Sequence, residues 1–230
     1  MVHSLLFEDS RKITSWSKKL PQNKLGNCYL NFIASHDGIG LRPVETFLTK
    51  IEVERFIQLM ESNGGKITYR DSHSDTDEPY EINISLFDAM KESFSKEKNF
   101  FMERYICIHT IMMSLEGVPA FYIHSLFGTE NDYALYQKTG HNRSLNRGKI
   151  DYNKINTEST NTKESKIYNK LKELLLIRRN QAAFHPNALQ FTLHLGNELY
   201  GIWRQSIDKT QSIFCVTNIT EEIVTLSLLD

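Results

Sequence analysis

Two short apolar runs, 27–35 (NCYLNFIAS) and 117–125 (GVPAFYIHS), flank the segment 97–115 (EKNFFMERYICIHTIMMSL), which is apolar almost all the way round a helix. A helix of that kind is deeply buried. Near-continuous apolar runs of strand length suit parallel strands covered on both faces, although length alone leaves a short buried helix open for the first. Residues 4–20 read as helical in part and stop before Pro21. Pro43 suits a first helical turn, and VETFLTKIEVERFIQLMES (44–62) carries helical periodicity in one or two pieces, stopped by Gly64-Gly65. KITYR (66–70) reads as a strand, and YEINISLFDAMKES (80–93) passes from extended to helical character. This alternation predicts an α/β sheet or barrel. With 230 residues the chain can bury a sizeable core, as one large domain or one domain with a small appendage.

The pattern changes near residue 188. LQFTLHL, ELYGIWRQ, SIFCVTNI and EIVTLSLL are four alternating segments separated by turn residues, the signature of an antiparallel meander. The predicted division is 1–185 for the α/β part and 186–230 for a partial β-domain. Between them, 128–163 is polar and Asn-rich and is expected to be a long loop, followed by a helix at about 164–180. DSHSDTDEP (71–79) reads as a polar loop.

Lys+Arg 27 against Asp+Glu 28 gives a formal net charge of -1, which argues against nucleic acid or an anionic membrane as partner. Cys28, Cys107 and Cys215 are odd in number and far apart, without metal-ligand spacing. Cys28 and Cys107 lie in apolar runs, where cysteine acts as a small hydrophobe, and a reducing compartment is expected. His73, His109, His124 and His141 have no metal-ligand spacing either, and His109 reads as a satisfied histidine in a buried helix. The N-terminal apolar stretch is too short for a signal peptide, and no window reaches the ~20 apolar residues of a membrane span. A cytoplasmic location and no metal or organic cofactor are the expectations.

The chemistry centres on NFIASHDGIG (31–40), where an apolar run ends in His36-Asp37 followed by two glycines within three residues. By themselves these two residues can simply cap a strand end. In α/β sheets and barrels, however, the C-terminal ends of strands form the active face, and glycines there let a ligand approach the backbone.

NFIASHDGIGLRP resembles the fourth conserved region of the α-amylase superfamily (glycoside hydrolase family 13), in the branch of the sucrose and glucosylglycerate phosphorylases. EPYEINISLFDAM, GVPAFYIHSLFG and KTGHNRSLNRGKI agree in order, so the resemblance covers nearly the whole chain. It implies the C-terminal part of a (β/α)8 TIM barrel, with strands seven and eight at the two apolar runs, followed by a partial antiparallel β-domain. It also implies that Asp37 is the transition-state-stabilising aspartate and that His36 hydrogen-bonds the donor sugar. A fixed carboxylate accepting from ring hydroxyls helps an oxocarbenium-like state more than the ground state. Arg147, closing RSLNR, matches an arginine lining the sugar pocket; the plain alternative is an exposed loop arginine. Tyr80 and Asn83 fall where relatives carry an acceptor-site loop, or simply begin a strand, and Arg42 is a candidate for an anionic acceptor or phosphate. His124-Ser125 stands where the wider superfamily commonly has Gly-Glu.

Retaining members use two carboxyl groups ~5–5.5 Å apart, a nucleophile and a general acid/base. In the resembling family these come from the fourth and fifth strands, and no Gly-x-Arg-x-Asp nucleophile pattern occurs in this chain. The expectation is therefore part of a glucosyl-transferring phosphorylase, taking a sugar and inorganic phosphate as small-molecule partners and inactive by itself. A second polypeptide carrying the missing strands is a further expected partner. Two alternatives stand beside it: part of an α-glucan hydrolase or transglycosidase, and a non-catalytic carbohydrate-binding protein.

Overall fold

The computed structural model describes residues 1–24, 26–70, 78–95, 100–151 and 161–226. It divides into two compact units that interleave along the chain: 1–31, 106–120 and 173–230 in the first, 32–105 and 121–172 in the second.

The first unit opens with α1 (Val2–Leu6) and α2 (Arg11–Lys19), followed by β1 (Leu30–Asn31). β1 pairs in parallel with β5 (Val118–Pro119), in the register Leu30↔Val118 and Asn31↔Pro119. β6 (Leu189–Leu193), β7 (Leu199–Gln205) and β8 (Ser212–Asn218) form the antiparallel sheet β6-β7-β8, as their alternation requires. One face of β7 enters the core through Tyr200, Ile202 and Arg204, each at most 1% exposed. The buried Arg204 guanidinium is satisfied by carbonyls, donating to Leu189, Ser114, His185 and Ala188 at 3.1–3.3 Å. Burial lowers its pKa to about 10. Arg178 donates to Met113 O, a carbonyl that the end of the 101–114 helix leaves without an intrahelical partner, and to Gly117 O beyond it, both at 2.7 Å.

The second unit holds a sheet of order β2-β4-β3, made of β2 (Ile39–Gly40), β3 (Lys66–Arg70) and β4 (Glu78–Asn83), all antiparallel. α3 (Lys50–Ser62) begins at a capping box in which Thr49 Oγ1 accepts from Glu52 N while the Glu52 carboxylate accepts from Thr49 N. α4 (Leu86–Ala89), α6 (Ile123–Phe127) and α7 (Tyr133–Thr139) complete the unit with the first part of α8 (Lys163–Arg179). α5 (Phe101–Ser114) contributes its first turn here. The core gathers Phe56, Met60, Ile82, Ile84, Phe87, Tyr105 and Leu145. Phe87 meets Tyr105 edge-on with ring centroids 5.2 Å apart, and Tyr105 donates its hydroxyl to Ser125 O.

Several expectations need correcting. The apolar run 27–35 contributes only two strand residues, and it is not covered on both faces: Leu30 is 64% and Phe32 55% exposed, and Cys28 is exposed too. β1 has one strand neighbour among the described residues, and its Leu30 side chain is left exposed. The second run likewise gives two strand residues and then turns into α6, which starts at Ile123 after Tyr122 in extended backbone, without a side-chain cap. The expected loop from 128 contains α7, stopped by Gly140 at φ 67°, and a 3-10 turn at Asn142–Asn146. The fourth meander segment forms no strand over 222–226; its remainder lies outside the described residues, as does His73. His109 is buried within α5, as its reading requires. Among the described residues, no helix is long and apolar enough to cross a membrane.

Candidate active site

The His36-Asp37 pair occupies a tight turn in the second unit. Ser35 and Gly38 exchange backbone hydrogen bonds at 3.0 and 3.1 Å, placing His36 and Asp37 at the two central positions. Gly38 has φ 110°, and a Cβ there would sit 2.2 Å from Ile82 O, so both the torsion and the approach of β4 demand glycine. Asn83, fully buried at the end of β4, fixes the turn from below. Its Nδ2 donates to Asp37 O at 2.7 Å and its Oδ1 accepts from Thr68 Oγ1 at 2.5 Å.

Asp37 is one-third exposed and carries its partners on one oxygen. Oδ1 lies 2.7 Å from Arg147 Nη2, 3.3 Å from Arg143 Nε and 3.4 Å from His36 Nε2. Oδ2 accepts no hydrogen bond among the described residues. Arg147 also donates Nε to His36 O at 2.8 Å, so its planar fork reads both the carboxylate and the turn's backbone.

Arg143 and Glu81 were not singled out by sequence. Glu81, on β4 opposite Gly40, is buried and takes a two-point contact from Arg143: Nη2 to Oε1 at 2.9 Å and Nε to Oε2 at 3.1 Å. Hydrogen bonding to Glu81 raises the Arg143 pKa above its ordinary value. The 3-10 turn that carries Arg143 and ends at Arg147 is tied down by Asn142 Nδ2, which donates to Ile67 O at 3.1 Å, and by Asn146 Nδ2, which donates to Ser35 O at 2.9 Å. Tyr122 donates to Asn146 O at 2.7 Å, and burial raises its pKa. A signal was present for Arg143: RSLNR puts two arginines four residues apart, on one side of a helical turn.

The structure thus brings His36, Asp37, Asn83 and Arg147 together and adds Arg143 and Glu81. Asn83 acts through the Asp37 backbone, Thr68 and the Glu81 carboxylate, to which its Nδ2 also donates at 3.4 Å. Tyr80 is 36% exposed on β4, and Arg42 is exposed in the 3-10 turn Arg42–Val44 that follows β2; neither side chain bonds within the cluster. His124 and Ser125 lie buried in α6, with His124 Nδ1 2.6 Å from Thr129 Oγ1. Among the described residues no group of three or more His, Cys, Asp or Glu is placed to hold a metal ion. A carboxylate with one oxygen that accepts no hydrogen bond, flanked by two guanidiniums at a half-open turn, can accept hydrogen bonds from the hydroxyls of a polyol while cations shape its surroundings.

No protein-family model matches the chain. Glucosylglycerate phosphorylase of Escherichia coli K12 is 33% identical over 191 residues, covering 81% of this chain and 34% of that protein. The protein of the same name from Allomeiothermus silvanus is 32% identical over 224 residues, covering 96% of this chain and 40% of the relative. The crystal structure of sucrose 6F-phosphate phosphorylase from Thermoanaerobacter thermosaccharolyticum matches with a TM-score of 0.77 at 18% identity, over 95% of this chain and 41% of that one.

Proposed function

Since this chain is a relative of the glucosylglycerate phosphorylases and spans about a third to two fifths of their length, we propose that it forms the sugar-holding part of a retaining glycoside phosphorylase of the α-amylase superfamily. Residues 1–185 belong to a (β/α)8 barrel and contribute its seventh and eighth strands; 186–230 belong to the β-domain that follows. The assembled enzyme moves a glucosyl unit between a sucrose- or glucosylglycerate-like donor and inorganic phosphate. The glycosidic C–O bond breaks as the acid/base carboxyl protonates the leaving oxygen and a carboxylate takes the anomeric carbon with inversion; a phosphate oxygen then displaces that carboxylate with a second inversion, so the configuration is retained overall.

In this reading Asp37 Oδ2 accepts from the glucosyl ring hydroxyls, and those bonds strengthen as positive charge builds on the ring. Arg147 holds Oδ1, and His36 lines the same sugar. Tyr80 and Arg42 stand at the acceptor side, where an exposed guanidinium suits phosphate or an anionic acceptor. The nucleophile and the acid/base come from the remainder of the enzyme, so this chain alone is inactive: Glu81 is committed to Arg143, and one carboxylate cannot both attack and protonate. The observation that carries the reading is the Arg147 hydrogen bond that pins Asp37 Oδ1 on a glycine turn and leaves Oδ2 without a hydrogen bond among the described residues.

The test joins this chain to the segment that the longer relatives carry and assays the product with glucosylglycerate and sucrose as donors. Release of glucose 1-phosphate that requires phosphate is expected. Equal turnover in phosphate-free buffer, releasing glucose, would replace the phosphorylase by a hydrolase.

A further inference from the structure

Three successive carbonyls of the Asp37 turn each accept a hydrogen bond from a side chain. Ser35 O takes Asn146 Nδ2 at 2.9 Å, His36 O takes Arg147 Nε at 2.8 Å, and Asp37 O takes Asn83 Nδ2 at 2.7 Å. Ser35 O also accepts the Gly38 amide at 3.0 Å, the bond that closes the turn, so both of its lone pairs are used. Neighbours 146 and 147 thus grip neighbours 35 and 36, and this ladder of side chain on backbone spaces the two turns. The Arg147 contact to Asp37 Oδ1 at 2.7 Å depends on that spacing. Asn146 is 3% exposed, and only half of its amide is matched: Oδ1 has no hydrogen-bond partner among the described residues. A buried acceptor without a donor costs stability, and an apolar side chain of the same branching would avoid that cost. Such groups persist where function rather than stability sets the residue. Tyr122 holds Asn146 from its other side, donating its hydroxyl to Asn146 O at 2.7 Å, so the backbone is fixed where the amide reaches across.

We propose that Asn146 is a positioning residue for the reaction: its Nδ2–H holds the Asp37 turn against the arginine-bearing turn and so sets how Asp37 Oδ2 meets the sugar. This rests on the reading of Asp37 as the carboxylate that accepts from the glucosyl ring hydroxyls. Asn146 itself touches no reacting atom; it acts through Ser35 and Asp37. A misplacement of about 1 Å at a reacting centre costs up to about 10²-fold in rate. Rate and stability separate at this position. Replacing the amide breaks one hydrogen bond and removes one unmet acceptor together, and Ser35 O keeps the Gly38 amide, so no new orphan is created. The fold therefore loses little, while Asp37 loses its alignment.

The experiment places Asn146→Leu and Asn146→Ala in the assembled enzyme, each with Asp37 and with Asp37→Asn. It reads turnover, the urea midpoint and hydrogen exchange at the Gly38 amide. Both variants should lower kcat about tenfold with KM within about twofold, while the urea midpoint of Asn146→Leu stays at the parent's. In the Asp37→Asn background the same changes should cost about twofold or less, because the carboxylate they misalign is already gone. Exchange at Gly38 should quicken in both. Asn187→Leu, which removes an asparagine bond to the Asn27 carbonyl in the first unit, is the control and keeps the parent rate. An unchanged kcat in both variants, equal losses with and without the Asp37 carboxylate, or a rate loss matched by a lowered midpoint in Asn146→Leu would overturn the proposal. An assembled parent that releases no glucose 1-phosphate sinks the functional reading alone. Exchange at Gly38 then decides this inference: quickened in both variants it stands, unchanged in both it falls.

Discussion

Gly38 and Glu81 decide the geometry around Asp37, one by what it lacks and the other by what it binds. Gly38→Ala forces a Cβ to within 2.2 Å of Ile82 O at a φ of 110°, and should destabilise the fold by about 2–4 kcal/mol, read as a lower urea midpoint; an unchanged midpoint would mean the turn can move away from β4. Glu81→Gln removes the charged partner of Arg143. Because the Arg143 side chain is 43% exposed, the stability cost should be modest, about 1–2 kcal/mol. The larger consequence is that Arg143 turns fully onto Asp37 and competes for the oxygen the sugar needs. Sugar affinity of the assembled enzyme should then fall by about tenfold, with kcat less affected. Glu81→Ala combined with Arg143→Ala should recover part of that loss, since both halves of the pair are gone.

At the scale of elements, local signals carried through wherever an element depends on its own residues. The Thr49–Glu52 capping box and the Gly64-Gly65 stop set α3, and strict alternation set β6, β7 and β8. α7 was missed although Asp132 and Gly140 frame it with ordinary cap chemistry, because its polar composition hid the helix inside an Asn-rich stretch. The length of β1 could not be read locally at all: how many residues pair depends on which strands are neighbours, and that is not written in 27–35. The site was half legible. The turn residues were visible as a motif, whereas Glu81 looked like one position in an alternating strand until β4 brought it opposite Gly40. α6 adds a pH dependence. Burial lowers the His124 pKa, partly offset by the Gly148 backbone and the Asp132 charge. The unfolded chain therefore takes up the proton first, and stability present above the ordinary histidine range falls as pH drops below it. The melting temperature should decline on acidification through that range, and His124→Gln should flatten the decline.

At the scale of the whole molecule, each unit has its own core, yet the parallel pair β1–β5 leaves Leu30 and Val118 exposed and has no further strand beside it among the described residues. The isolated chain should bind an apolar dye and unfold over a broad range, whereas a single sharp calorimetric transition without dye binding would contradict that. The central claim is that Asp37 holds the glucosyl ring of a phosphorylase whose remaining parts complete the site. The most direct test is the rate of phosphate-dependent glucose 1-phosphate release by the assembled enzyme with Asp37 and with Asp37→Asn. The account predicts a loss of about 10²–10³-fold in kcat with the fold intact. A variant that keeps the full rate would remove Asp37 from the chemistry, and the carbohydrate assignment of this turn with it.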